Sequence, residues 1–188
     1  MKTLCEISIT PGKLEVNHAA VFQSKETLGP AFFKELYLEM NLNYPKFYKM
    51  DEISKLFFLG VEQLLKSGKW PSRDGNTTAI VAGTTDGCLE SDKRHLANIT
   101  NHPNLPASPA TFVYTLPNIM LGEVCIRHRI TGENTCVITQ NNDSDFINHY
   151  AEILLTDEGT EFCIAGYVNY LPGNYICLLT LFARDLDL

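Results

Sequence analysis

The sequence predicts an α/β domain whose sheet is mostly parallel with one antiparallel strand. Three observations carry this. Five short apolar runs have the composition of strands, amphipathic segments alternate with them, and the last two runs follow one another across a tight turn. The 188 residues, 45% of them hydrophobic, suffice for one domain with its own core, and no internal repeat, low-complexity stretch or linker divides them.

Leu4 to Ile9 alternate apolar and polar residues, as a half-buried strand does. Residues 10–49 carry less pattern, with a helix predicted around Phe32, Phe33, Leu36, Tyr37 and Met40. In MDEISKLFFLGVEQLLKSG, residues Ile53, Leu56, Phe57, Val61, Leu64 and Leu65 recur at helical spacing, with Asp51 as N-cap and Gly68 as stop. PSRDGN is a turn, and TTAIVAGTT a strand buried on both faces. DGCLESDKRHLANIT reads as a weaker helix with Leu89, Leu96 and Ile99. A connection with Pro103, Pro106 and Pro109 leads through Phe112 and Pro117 to NIMLGEVCIRHRIT, a helix capped by Asn118 and ended by Gly132. NTCVITQ is the next strand. Asp143, Ser144 and Asp145 open a helix with Phe146, Ile147, Tyr150, Ala151, Leu154 and Leu155 on one face. EFCIAGYVN and NYICLLTLFA close the chain as a hairpin around Pro172-Gly173-Asn174.

Net charge is −7 and pI about 5.2, which argues against nucleic acid, since phosphate binding needs clustered Lys and Arg, and more weakly against a broad surface for acidic carrier proteins. No apolar run reaches the roughly 18–20 residues that span a bilayer, and the alternating N-terminus lacks the continuous core of a secretory signal, so a cytoplasmic, non-membrane protein is expected. Cys5, Cys88, Cys125, Cys136, Cys163 and Cys177 form no CxxC pair and read as small apolar residues in a reducing compartment. The five histidines are scattered, so no metal and no cofactor is expected. There is no GxSxG elbow, P-loop or GxGxxG before a helix. Gly83-Thr84-Thr85-Asp86-Gly87 lacks a following Lys-Ser/Thr and carries an acid, so it reads as a tight turn, not a phosphate cradle.

Four stretches, in order, resemble the amino-terminal half of β-ketoacyl synthases of the thiolase-like fold. They are YPKFYKMDEISKLFFLGVEQLLKSG, TAIVAGTTDGCLESD, PATFVYTLPNIMLGEVCIRHRITGENTCVIT and EFCIAGYVNYLPGNYICLLTLF, and together they span roughly residues 44–182. The third is the most specific: a Pro-Phe segment, an Asn-capped helix, a Gly and the strand before the nucleophile coincide in it. The resemblance implies one thiolase-type half, a five-stranded mostly parallel sheet with one antiparallel strand and helices on both faces.

The family places a cysteine just after that strand, at a helix start where the thiol pKa falls and an oxyanion is received. Counting from Gly132, Asn141 takes its place, flanked by Thr139 and Gln140, and a carboxamide cannot form the acyl thioester that condensation requires. Cys136 lies five positions too early and is not given the role. Some relatives carry glutamine there and keep decarboxylation, and a one-residue slip would offer Gln140. That chemistry relies on two histidines from the family's second half, and the chain ends at Leu188, just after the last strand of the first half. His128 and His149 read as surface residues, not substitutes. A non-catalytic subunit is therefore expected.

The family's helix after the nucleophile lies between two sheets and is apolar or small all round. Here Asp145, Asn148, His149, Glu152 and Thr156 fall largely opposite Ile147, Tyr150, Ala151 and Leu154, so that face is expected to meet water or a polar partner. The family also pairs the strand before the nucleophile with its counterpart in a second subunit. Carried over, Asn134, Thr135, Cys136, Val137, Ile138, Thr139 and Gln140 form an open edge for a second copy or a full-length ketosynthase. This implies an accessory subunit of fatty-acid or polyketide-type biosynthesis, with an acyl carrier protein as a further partner. The alternative is a binding module for an acyl chain or carrier-tethered substrate, its groove lined by Phe112, Tyr114, Leu116 and Met120.

Overall fold

Three strands open the chain as an antiparallel meander: β1 (Lys2–Thr10), β2 (Lys13–Val16) and β3 (Ala19–Gln23). Asn17 and His18, at φ 49° and 65°, turn β2 into β3 with the double left-handed conformation that suits a two-residue hairpin. The computed structural model describes residues 1–67, 70, 75–101 and 106–185. The helix stop expected at Gly68, most of the turn from Pro71 and the proline at 103 lie outside them.

Helix α1 (Gly29–Glu39) and a 3-10 turn (Pro45–Lys49) lead to α2 (Glu52–Lys66), then β4 (Thr78–Thr84), α3 (Leu89–Asn101), α4 (Pro109–Val113) and α5 (Ile119–His128). After β5 (Asn134–Ile138) come α6 (Ser144–Thr156) and the hairpin of β6 (Phe162–Leu171) and β7 (Asn174–Ala183). Asp51 caps α2 as expected, its carboxylate accepting the Ser54 N–H at 3.1 Å. Two helix ends differ from expectation. The Asn118 side chain makes no capping bond, and α5 ends at Arg129, in the left-handed region at φ 56°, not at Gly132. Gly132 serves a close approach instead: a Cβ there would lie 2.3 Å from the Thr78 carbonyl oxygen, so only glycine lets the chain pass β4.

The strands form one seven-stranded sheet in the order β3-β2-β1-β7-β6-β4-β5. This corrects the expectation of five mostly parallel strands. Only β4–β5 and β4–β6 are parallel, and the other four pairings are antiparallel. Two causes combine. KLEV and AAVFQ are too short to show a period, yet they extend the sheet by a hairpin. And β1 finds its second neighbour in β7, which runs the opposite way. The five strands β5-β4-β6-β7-β1 are those expected.

Helices lie on both faces. On one, α1, α2 and α5 bury the larger core, including Phe32, Phe33, Phe57, Phe58, Leu121 and Leu181. Helix α2 sits close: a Cβ on Gly60 would meet Cys177 Sγ at 2.9 Å and Leu179 Cδ1 at 3.0 Å. On the other face α6 packs Ile147, Ala151, Leu154 and Leu155 against Val81, Cys163 and Ala165 in a smaller core. No described helix is long and apolar enough to cross a membrane.

Candidate functional site

The carboxyl ends of β4 and β5 and the start of α6 meet where the resemblance places its nucleophile. The Thr139 N–H donates to the Thr84 carbonyl at 2.9 Å, which carries the strand pairing one residue past β5. The chain then turns. Thr139 Oγ1 and the Asp143 N–H both donate to the Asn141 carbonyl, at 2.6 and 2.8 Å. Asp143 is the N-cap of α6, its carboxylate accepting the Phe146 N–H at 3.1 Å. Asn141 thus stands in an exposed turn two residues before the cap, and Gln140 beside it is exposed as well. An oxyanion approaching this helix end would meet a carboxylate that already occupies a free N–H.

The neighbouring turn after β4 is closed on itself. Asn169 on β6 accepts the Asp86 N–H at 2.9 Å and the Thr84 hydroxyl at 3.1 Å, and its amide donates to the Asp86 carboxylate at 2.6 Å. The Gly87 N–H donates to Thr84 Oγ1, and Thr85 Oγ1 lies 2.6 Å from the Tyr167 hydroxyl. With these N–H groups engaged, Gly83–Gly87 is a tight turn and not an anion cradle.

Cys136, the nearest thiol in sequence, lies on the other face of the sheet. It is half-buried against the larger core, and burial pushes its thiol up to about 11. All six cysteines are free; Cys5, Cys163 and Cys177 are buried, as their apolar runs suggest, and Cys88 is buried with its thiol donating to the Thr115 carbonyl at 2.8 Å. Among the described residues no group of His, Cys, Asp and Glu could hold a metal. His149 is exposed, 3.8 Å from Glu152. His128 is not the surface residue expected: its Nε2 lies 2.9 Å from Glu62 Oε1, its ring meets Trp70 edge-on, and Arg127 shares the same carboxylate while lying over the Tyr44 ring. This cluster ties α2 to α5.

The four acyl-groove candidates sit in different surroundings. Met120 is buried in the larger core. Tyr114 is pinned by donating its hydroxyl to Glu123 at 3.0 Å, a carboxylate also 2.7 Å from Lys46 Nζ. Phe112 and Leu116 face outward, at 53% and 45% exposure. A cleft of about 400 Å³ lies instead beside α6, over β6, β7, β1 and β2, where Asn148, Ser144, Tyr167, Thr180, Ser8 and Glu15 meet. Its residues come from five elements, so no local signal in the sequence marks it.

Strand β5 is the last of the sheet order, and its side chains are exposed or half-buried. Glu133 accepts the Ile80 N–H and Thr139 donates to Thr84, so the odd-numbered residues turn their main-chain groups to β4. Asn134, Cys136 and Ile138 therefore direct theirs outward. The two sheet edges differ. Strand β3 carries an extra residue, Val21, between the pairs Leu14–Phe22 and Glu15–Ala20, a bulge of the kind that blunts an edge. Strand β5 pairs with β4 in unbroken register, and residues 134–140 include no charge and no proline.

The sequence matches no protein-family model and no curated protein. Solved structures do resemble the chain. The ketosynthase ApeO in complex with its chain length factor ApeC, from Xenorhabdus doucetiae, superposes with a TM-score of 0.62 at 14% identity, over 99% of this chain and 79% of that one. The ishigamide ketosynthase/chain length factor gives 0.71 at 15%, over 99% and 62%. The AntDE:AntF complex of a type II polyketide acyl-carrier protein with its ketosynthase gives 0.63 at 13%, over 97% and 62%. The chain thus spans less than two thirds of the length of two of these three. At such identities the likeness speaks of architecture: over 97–99% of its length this chain shares its fold with these ketosynthase and chain length factor structures.

Proposed function

We propose that this chain is a non-catalytic, ketosynthase-like accessory subunit of fatty-acid or polyketide-type biosynthesis, associating through the β5 edge with itself or with a full-length ketosynthase. The chemistry at the β5–α6 junction carries the reading. Thr139, Gln140 and Asn141 offer a hydroxyl and two carboxamides where condensation needs a thiolate that can be acylated. The α6 terminus, which would have to stabilise an oxyanion, is capped by the Asp143 carboxylate. Cys136 is on the wrong face and, with its thiol pushed up to about 11, is almost wholly protonated at neutral pH. The smooth, uncharged edge of β5 supports association, and the resembling structures that hold a ketosynthase with a chain length factor or a carrier protein support partners of those kinds.

The test is incubation of the purified chain with malonyl and acyl thioesters, followed by intact-mass measurement and a decarboxylation assay. No acyl adduct on any cysteine and no release of carbon dioxide are expected. In parallel, Cys136 should react with iodoacetamide about 100-fold more slowly than free cysteine at neutral pH. An acylated cysteine, or malonyl turnover by the chain alone, would overturn the reading.

A further inference from the structure

We infer that the cleft beside α6 is a binding site for a small neutral polyol of monosaccharide size, separate from the β5 edge. Its origin is geometric. A helix is about 10–12 Å across and neighbouring strands lie about 4.8 Å apart, so one helix covers about two strands. The buried contacts of α6 reach β4, β6 and β7 and stop there. Strands β1 and β2 lie beyond, and the step down from helix to sheet encloses about 400 Å³, within the range of small-molecule sites.

Strand register builds the floor. Glu15, Ser8, Leu178 and Tyr167 are successive partners across β2, β1, β7 and β6, and Glu6, Thr180 and Ala165 form the next rung on the same face. Ile7 and Leu179, between the rungs, turn to the larger core on the opposite face. Ile147 of α6, Leu178, Ala165 and the ring of Tyr167 give the cleft an apolar base. Ser8, Thr180, Ser144 and Asn148 surround it, and among the described residues their side chains have no hydrogen-bond partner in the chain. The nearby turn after β4 is different: there Thr84, Thr85 and Asp86 are all bonded to Asn169 or Tyr167. Three hydroxyls and one carboxamide thus stand uncommitted around an apolar base, each able to donate and to accept.

Charge selects the ligand class. The carboxylates of the outer wall already have partners, Glu15 with Lys13 Nζ at 2.7 Å and Glu6 with His18 Nε2 at 3.0 Å. Among the described residues no lysine or arginine lines the cleft, so an anion would meet two carboxylates there and no such cation. A cation would compete with Lys13 and His18 for carboxylates they already engage. A neutral ligand meets neither cost. An acyl chain would leave the four uncommitted polar groups without partners. A pyranose ring suits both surfaces: its C–H face matches Leu178 and Ile147, and its hydroxyls match Ser8, Thr180, Ser144 and Asn148.

Probes of one ring size test site and charge together. Methyl glucoside and methyl galactoside are neutral, glucosamine is cationic and glucuronate anionic. Each is titrated into the isotope-labelled full chain, and the backbone amide shifts are followed by NMR. At least one neutral glycoside should give saturable shifts at Ser8, Ser144, Asn148 and Thr180, with the two charged sugars weaker by about tenfold or more. Asn148→Ala, at an exposed position, should weaken that glycoside about three- to tenfold, as loss of one hydrogen bond implies. Ser8→Phe fills the cleft from its floor and should abolish the shifts at the other three positions, with circular dichroism confirming that the variant folds. No saturable shift with either neutral glycoside, or binding unchanged in Asn148→Ala, would overturn the site. Tighter binding of glucosamine or glucuronate would overturn the neutral class. Neither failure bears on the reading of β5, which is measured by association.

Discussion

Asp51 joins two helices through one carboxylate: it accepts the Ser54 N–H that opens α2 and the Ser91 hydroxyl of α3 at 2.8 Å. Burial raises its pKa above the ordinary carboxylate value, and the hydrogen bonds from Ser54 and Ser91 only partly oppose that. The folded chain therefore holds this proton more tightly than the unfolded chain, in which the group titrates near about 3.9. The stability linked to that proton is full below the unfolded value and is lost as pH rises through the folded one. Asparagine keeps the acceptor for Ser54 and offers an amide N–H to the Ser91 oxygen. Asp51→Asn should then be at least as stable as wild type at pH 7, with its advantage shrinking toward pH 4, while Asp51→Ala should lose about 1–2 kcal/mol at pH 7. Urea unfolding across that range checks both, and a wild-type advantage that grows with pH would contradict the assignment. At this scale the sequence was half-informative. The cap was readable from Asp51 before an apolar helix, but the serine 40 positions away was not. Likewise His128 looked like a lone polar residue, because its partner Glu62 lies 66 positions away.

Helix α6 matches its sequence pattern closely. Ile147, Ala151, Leu154 and Leu155 are buried, and Asp145, Asn148, His149, Glu152 and Thr156 are exposed, as their spacing implied. Phe146 departs from the pattern, lying 45% exposed and stacked on Tyr150, because it sits about 100° round the helix from buried Ile147. The polar face already borders exposed Ile153, so Asn148→Leu/Glu152→Leu would join it into a continuous apolar patch. Reduced solubility in a precipitant titration is expected. Improved solubility would mean that this face is not adapted to water or a polar partner. The β2–β3 hairpin is the element the pattern failed to reveal. Strands of four and five residues are too short for a period, and their turn uses Asn-His where Asn-Gly is the stronger signal.

For the whole molecule, a dimer joined through β5 couples unfolding to dissociation. A tenfold rise in protein concentration should then lift the melting temperature by about 1–3 °C, and a melting temperature independent of concentration would argue for a monomer. The sequence by itself determined the order and type of nearly all long elements, the buried face of each helix, and the absence of a thiol at residues 139–141, because these depend on local spacing and residue identity. Tertiary structure alone decided that β1 lies against β7, that the sheet has seven strands with four antiparallel pairings, that Gly132 serves an approach to β4, and that Cys136 and Asn141 occupy separate environments. Those facts depend on which distant segments meet, and local periodicity carries no term for the partner a strand or side chain finds across the fold.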